Sequence, residues 1–334
     1  MICNSDSVNK IIDNMENLCL TSCHTYVFHE TCVTALSEKS KTEHALDPKL
    51  QKILAAAPPL RSMELSAMRA HAIDGKRYWN DAPRPWLDLA EDSTLSRLVG
   101  RPVKRFRSCH SDAPPLVWMH GGGWSIGSIS THHAVFAELS QFCRRDVIAL
   151  HPRQAPEHPY PAPVKNVAAL LVALRGPFHL GGDSAGANLA LGGLACLHAN
   201  GQPVFPRSLT LAYGCFQARF DTESHVAFGS SPVSLSTAKM RQFWSFYGGT
   251  GQPFADFATL PNINLPPTQL HIAALDPLRD DSLDIEAQLH DLGVSVDRHD
   301  WAGMTHGFLH YLPDLPQAMS AIEAISNHLE RNDT

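Results

Sequence analysis

The sequence contains no apolar run approaching the roughly 18 residues a membrane-crossing helix needs, so no membrane span is expected. It has no excess of positive charge: 27 Lys and Arg stand against 33 Asp and Glu, a net charge of −6. With no basic stripe to track phosphates, a nucleic-acid partner is not expected. Internal repeats and low-complexity tracts are also absent. At 44% hydrophobic and 18% charged, the chain is neither disordered nor fibrous. Residues 1–25 carry Asn, Asp, Glu and Lys throughout and offer no apolar leader segment, so a cytoplasmic location is expected. Its 334 residues suffice for one large α/β domain with additions.

Cysteine is present, but not in a disulfide pattern. Cys109, Cys143, Cys196 and Cys215 are isolated and read as buried free thiols of a reducing compartment. Cys3, Cys19, Cys23 and Cys32 crowd near His24 and His29, but Cys-x3-Cys is a poor zinc spacing, so no metal site is assigned. Residues 1–45 are polar and weakly patterned and read as an extension.

A helical rhythm begins at Leu46, with Asp47-Pro48 as a helix start. From about residue 95 short apolar runs read as strands at Val103–Phe106, Leu116–Met119, Val147–Leu150, Phe178–Leu180, Leu209–Ala212, Leu270–Leu275 and Val294–Val296. Helical patterns alternate with them at His132–Phe142, Val164–Leu174, Ala185–His198, Ser282–Leu292 and Pro316–Leu329. Such alternation builds an α/β fold with helices on both faces of a mostly parallel sheet. Residues 216–265 interrupt it with a long stretch rich in Phe, Trp and Tyr, which reads as a lid over a binding site. The plainer alternative is a helical subdomain whose aromatics form their own core.

Four segments carry chemistry. Gly182-Asp183-Ser184-Ala185-Gly186 lies between a strand and a helix, the setting in which a sharp turn lifts a serine hydroxyl above a sheet. His120-Gly121-Gly122-Gly123-Trp124 directly follows a strand, and its bare glycines leave backbone N–H groups free to face a cleft. Such donors stabilise a tetrahedral oxyanion, and those expected here are the amides of Gly122, Gly123 and Ala185. A phosphate loop is the rival reading, but Lys-Ser/Thr and G-x-G-x-x-G spacing are both missing. A serine nucleophile needs a base and a group that orients the base. Asp276, ending a strand, and His306, on a glycine-flanked loop, supply them in the order Ser184, Asp276, His306. Asp280, Asp281 and Asp284 compete as acids but fall at a helix start, where Asp caps. His299 and His310 compete as bases but lie in strand and helical patterns.

Together these motifs resemble the hormone-sensitive-lipase-like group of α/β-hydrolase esterases, most closely its bacterial acetyl esterases. Arg153-Gln154-Ala155-Pro156-Glu157-His158-Pro159-Tyr160-Pro161 is similar to that group's turn after its fourth core strand. The resemblance covers roughly residues 46–331. It implies an eight-stranded, mostly parallel sheet, a triad of Ser184, Asp276 and His306, and His120, Gly121, Asp183 and Glu157 in supporting positions. It also implies a cap from 46–92 and 216–265, short acyl esters as substrates, and neither cofactor nor metal. The chain departs from the group's pattern at Ala187, where many members carry glycine, and at His151, where tyrosine is common. The expected partner is a small-molecule ester, with a homodimer as one possible assembly. An amidase, deacetylase or lactonase with the same triad is the nearest alternative, and a non-catalytic receptor on the same fold a more distant one.

Overall fold

In the computed structural model residues 45–334 are described, except 110–111 and 232–233. The Cys3–Cys32 cluster and residues 1–44 of the extension lie outside the described residues. Asp47 caps the first helix, α1 (Pro48–Ala56), accepting from the amides of Lys49 at 2.9 Å and Leu50 at 3.0 Å, with Pro48 at the first helical position. α2 (Leu65–Asp74) and α3 (Arg77–Asn80) follow. Next come β1 (Asp88–Glu91), α4 (Ser93–Val99), β2 (Val103–Arg107), β3 (Leu116–Met119), α5 (His133–Phe142), β4 (Val147–Leu150) and α6 (Ala162–Ala173). β5 (His179–Asp183), α7 (Ala185–Ala199), β6 (Leu209–Ala212), α8 (Glu223–Phe228) and α9 (Thr237–Tyr247) precede β7 (Thr268–Ala273), α10 (Arg279–Asp291) and β8 (Val296–Trp301). A 3₁₀ turn over Phe308–Tyr311 leads to α11 (Pro316–Arg331).

The eight strands form one sheet in the order β1-β2-β4-β3-β5-β6-β7-β8. Only β1 and β2 run antiparallel to their neighbours. Alternation along β3 explains why its four residues are all apolar. Val117 and Met119 pack into a core with Val167, Leu170, Leu189 and Ile285 from α6, α7 and α10. Leu116 and Trp118 pack into a second core with Phe136, Leu139, Ile322 and Ile325 from α5 and α11. Among the described residues, no helix is long and apolar enough to cross a membrane.

Several boundaries differ from expectation. β1 is short and polar at the sheet edge, so it lacks the apolar signature of the central strands. β5 runs on through Gly181 and Gly182 to Asp183, and β7 starts and stops two residues earlier than read. The last strand is Val296–Trp301 rather than Val294–Val296: Val296, Asp297, Arg298, His299 and Asp300 form a half-solvated edge, where apolarity is a poor guide. Phe216, Phe243, Trp244, Tyr247 and Phe257 join the main core instead of forming a separate one. Among the four predicted buried thiols, Cys143 and Cys215 are buried, Cys196 is half-buried and Cys109 is exposed.

Candidate active site

Ser184 stands at the junction of β5 and α7 with φ 54 and ψ −123, a left-handed conformation that side chains rarely adopt. Its amide donates to the Ala212 carbonyl at 2.9 Å, anchoring the strained turn to β6. The flanking glycines are required by contact. A Cβ on Gly186 would stand 1.9 Å from the Met119 carbonyl oxygen, so any side chain there would push α7 off β3.

The three residues placed far apart in the chain meet here. Ser184 Oγ lies 2.8 Å from His306 Nε2, and His306 Nδ1 lies 2.7 Å from Asp276 Oδ2. A carboxylate only accepts, so Nδ1 carries the proton toward Asp276 and Nε2 is left to accept from the serine hydroxyl. Asp276 is 1% exposed, and its other oxygen accepts from the Leu278 amide at 2.9 Å. Asp276 therefore sits three residues past the end of β7, held by its own turn. Tyr213 packs edge-on against the His306 ring, with centroids 5.1 Å apart.

The glycine loop lies beside the serine. Gly122 and Gly123 line the same cavity as Ser184 and His306 and have φ of 107 and 54. A Cβ on Gly123 would sit 2.3 Å from the Phe243 ring. Ala185 is the first residue of α7, so its N–H is not used by the helix ladder. The cavity measures about 220 Å³, and Met68, Met240 and Phe243 are among the residues that line it.

Asp183 holds the loop from beneath. Its Oδ1 accepts from Trp118 Nε1 at 2.9 Å and the Gly121 amide at 3.3 Å, and its Oδ2 lies 3.2 Å from His132 Nε2. Burial opposes ionisation of Asp183, but the His132 imidazole and the Trp118 donor outweigh it and hold the carboxyl below its usual range. His120 places Nδ1 2.9 Å from the Gly121 carbonyl, and burial beside His132 pushes its pKa down to about 3. It therefore supports the loop as a neutral ring. Glu157 is remote from the cavity and half exposed. It forms a two-pronged pair with Arg69, at 2.6 and 2.7 Å, and Arg69 Nε donates to the Ser125 carbonyl at 2.9 Å. Glu157 thus reaches the glycine loop through an arginine of α2.

The competing acids and histidines have other partners. Asp280 accepts from the Ser224 amide at 2.9 Å, and Asp284 pairs with Arg219 at 2.5 Å. Asp281 accepts from the amides of Phe216 at 2.8 Å and Gln217 at 3.0 Å. His299 stacks on His271, and His310 packs edge-on against His132. Trp118 and His132 went unrecognised in the sequence: the first reads as one more apolar strand residue, the second as a helix start. Neither pattern reveals the buried carboxylate they share.

A carbonyl carbon beside Ser184 Oγ would face a hydroxyl and an imidazole, with Gly122 and Gly123 lining the same cavity. An eight-stranded, mostly parallel sheet with helices on both faces defines an α/β-hydrolase architecture. Residues 116–310 match the alpha/beta hydrolase fold family. The chain is similar to an acetyl-hydrolase of Streptomyces hygroscopicus, 31% identical over 226 residues, 65% of this chain and 75% of that protein. It is similar to the carboxylic ester hydrolase LipN of Mycobacterium tuberculosis, 30% identical over 297 residues, 80% of this chain and 77% of that protein. Among solved structures, the Pyrobaculum calidifontis esterase superposes with a TM-score of 0.75 at 25% identity, covering 86% of this chain and 98% of that one. The chain belongs to the α/β-hydrolase fold family and is a carboxylic ester hydrolase by its relatives.

Proposed function

We propose that Ser184, His306 and Asp276 are the catalytic triad of a carboxylesterase acting on short-chain acyl esters. The observation that carries this reading is the unbroken chain of contacts, 2.8 Å from hydroxyl to imidazole and 2.7 Å from imidazole to buried carboxylate. His306 Nε2 takes the Ser184 proton as Oγ attacks the ester carbonyl, and Asp276 stabilises the imidazolium that forms. The amides of Gly122, Gly123 and Ala185 receive the oxyanion. The alcohol leaves with the proton held by His306, and water then repeats the sequence to release the acid and free the serine. The triad and the oxyanion amides account for each of these steps without a cofactor or metal.

We assign residues 46–331 to the hydrolase domain, with 46–92 and 216–265 as its cap. Met68 from the first segment and Met240 and Phe243 from the second wall the cavity and support this assignment. The space beside Ser184 itself is about 220 Å³, below the roughly 300–1,000 Å³ of drug-sized pockets, which favours a short acyl group there, with the adjoining chamber of about 540 Å³ left to the rest of the ester. The free thiols support a reducing compartment, the cytoplasm. Kinetics on 4-nitrophenyl esters from acetyl to decanoyl test the reading, with Ser184→Ala as control. kcat/KM is expected to fall steeply beyond butyryl or hexanoyl, and the variant to lose about 10⁴-fold or more in kcat while keeping its fold. A rise toward decanoyl would overturn the short-chain assignment, and retained turnover by the variant would overturn the triad.

A further inference from the structure

Nine arginines among the described residues pair with carboxylates. Arg84 meets Glu138, Arg105 meets Asp92 and Asp146, and Arg298 meets Asp300 and Glu286. Among the described residues no lysine has such a pair, and two of the lysines stand at the cavity of the candidate nucleophile. Lys76, between α2 and α3, and Lys239, on α9, both line the cavity that contains Ser184 and the adjoining chamber of about 540 Å³. Among the described residues neither has a carboxylate within ion-pair distance. The Lys76 ammonium lies 4.1 Å from the Tyr311 ring centroid. Lys239 Nζ donates to the Ser234 carbonyl at 3.1 Å, which leaves two of its three N–H groups without a partner among the described residues.

His71, on α2, lies close enough to feel both ammonium charges. Burial first, then Lys239 and Lys76, lower its pKa, so the imidazole stays neutral between them. The other titratable groups lining this space are His132, His306, His310, Tyr213 and Tyr311, none of them a carboxylate, and Asp183. Asp183 is already engaged by Trp118, Gly121 and His132. The nearby Asp74 is turned to Arg77, 2.7 Å away. These two ammonium groups line a concave space in a chain whose net charge is −6. Two half-buried ammonium groups facing one space repel each other and lose hydration, a cost recovered when an anion sits between them.

We propose that the cavity selects esters carrying a second, anionic group, a carboxylate on the acyl or alcohol portion, which Lys76 and Lys239 receive while the ester carbonyl lies at Ser184. The proposal rests on the esterase reading and narrows its substrate class to half-esters of dicarboxylic acids and carboxylate-bearing aryl or alkyl esters. The lysines are specificity residues, and the acyl-transfer chemistry is unchanged.

Calorimetry on Ser184→Ala, a protein that binds without turning over, tests the preference apart from catalysis. The probes are monomethyl glutarate and dimethyl glutarate, matched in size and differing in one charge. Monomethyl glutarate is expected to bind about tenfold more tightly at low salt, with the advantage shrinking as ionic strength rises. Lys239→Met and Lys76→Met, which keep the aliphatic stem, are each expected to cut that ratio by about fivefold. With active enzyme, 4-acetoxybenzoate against methyl 4-acetoxybenzoate gives the corresponding kcat/KM ratio for charge on the alcohol side. Equal affinity for the two glutarates, or an anion preference that neither substitution reduces and salt does not weaken, would overturn the proposal. Absence of turnover of dimethyl glutarate and methyl 4-acetoxybenzoate alike would instead count against the esterase reading.

Discussion

Gly123 shows how much of the site depends on single atoms. Its φ of 54 is costly for any residue with a Cβ, and the space that Cβ would fill belongs to Phe243. Gly123→Ala must therefore rotate the peptide or displace the ring, and either change moves an amide proposed to receive the oxyanion. Losing one such donor costs about 10²–10³ in kcat in comparable sites. A fall of that size is expected, with a KM change of only a few-fold, measured on 4-nitrophenyl acetate. A kcat within about twofold of the parent would remove Gly123 from the oxyanion hole. Ser184 carries strain of a similar kind, with ψ −123 at positive φ, maintained by the Ala212 carbonyl beneath it.

At the scale of elements, α10 fastens the 216–228 segment to the sheet through its first turn. Asp281 is fully buried, and only its Oδ2 is engaged, by the amides of Phe216 and Gln217. Burial raises its pKa to about 7; the two amides and Arg219 pull it back down, and Asp276 nearby adds to the rise. An acid whose folded pKa exceeds its unfolded value of roughly 4 binds protons more tightly when folded. Its contribution to stability is thus whole at low pH and is lost as pH rises from about 4 through 7. Asp281→Asn keeps an oxygen for the two amides and removes the titration. Thermal melts should show the parent losing stability relative to this variant across that window, by a few kcal/mol in order of magnitude. A constant difference in Tm from pH 4 to pH 7 would show that Asp281 ionises as easily folded as unfolded.

For the whole molecule, legibility followed burial. Central strands such as Leu116–Met119 and Val147–Leu150 are buried on both faces, so every residue is apolar and their bounds can be read to the residue. Edge strands face water on one side. β1 sets only Leu89 and Ala90 between Asp88 and Glu91, too short an apolar run to read as a strand, and Val296–Trp301 is interrupted by charges, so the first was missed and the second expected two residues early. Ser184, Asp276 and His306 were legible because strained turns and glycine-flanked loops restrict the residues that can occupy them. Trp118 and His132 were not, because a buried hydrogen bond to Asp183 depends on two distant segments meeting and leaves no local pattern. Lys76 and Lys239 were hidden for the same reason: a lysine without a carboxylate looks like any other until the cavity exists around it.

The central claim is that His306 activates Ser184 for acyl transfer, and covalent labelling with a fluorophosphonate, read by peptide mass spectrometry, tests it most directly. One adduct is expected, on the peptide containing Ser184, absent from Ser184→Ala and formed at least about 10³-fold more slowly in His306→Ala. An unreactive parent protein, or an adduct on a different serine, would contradict it.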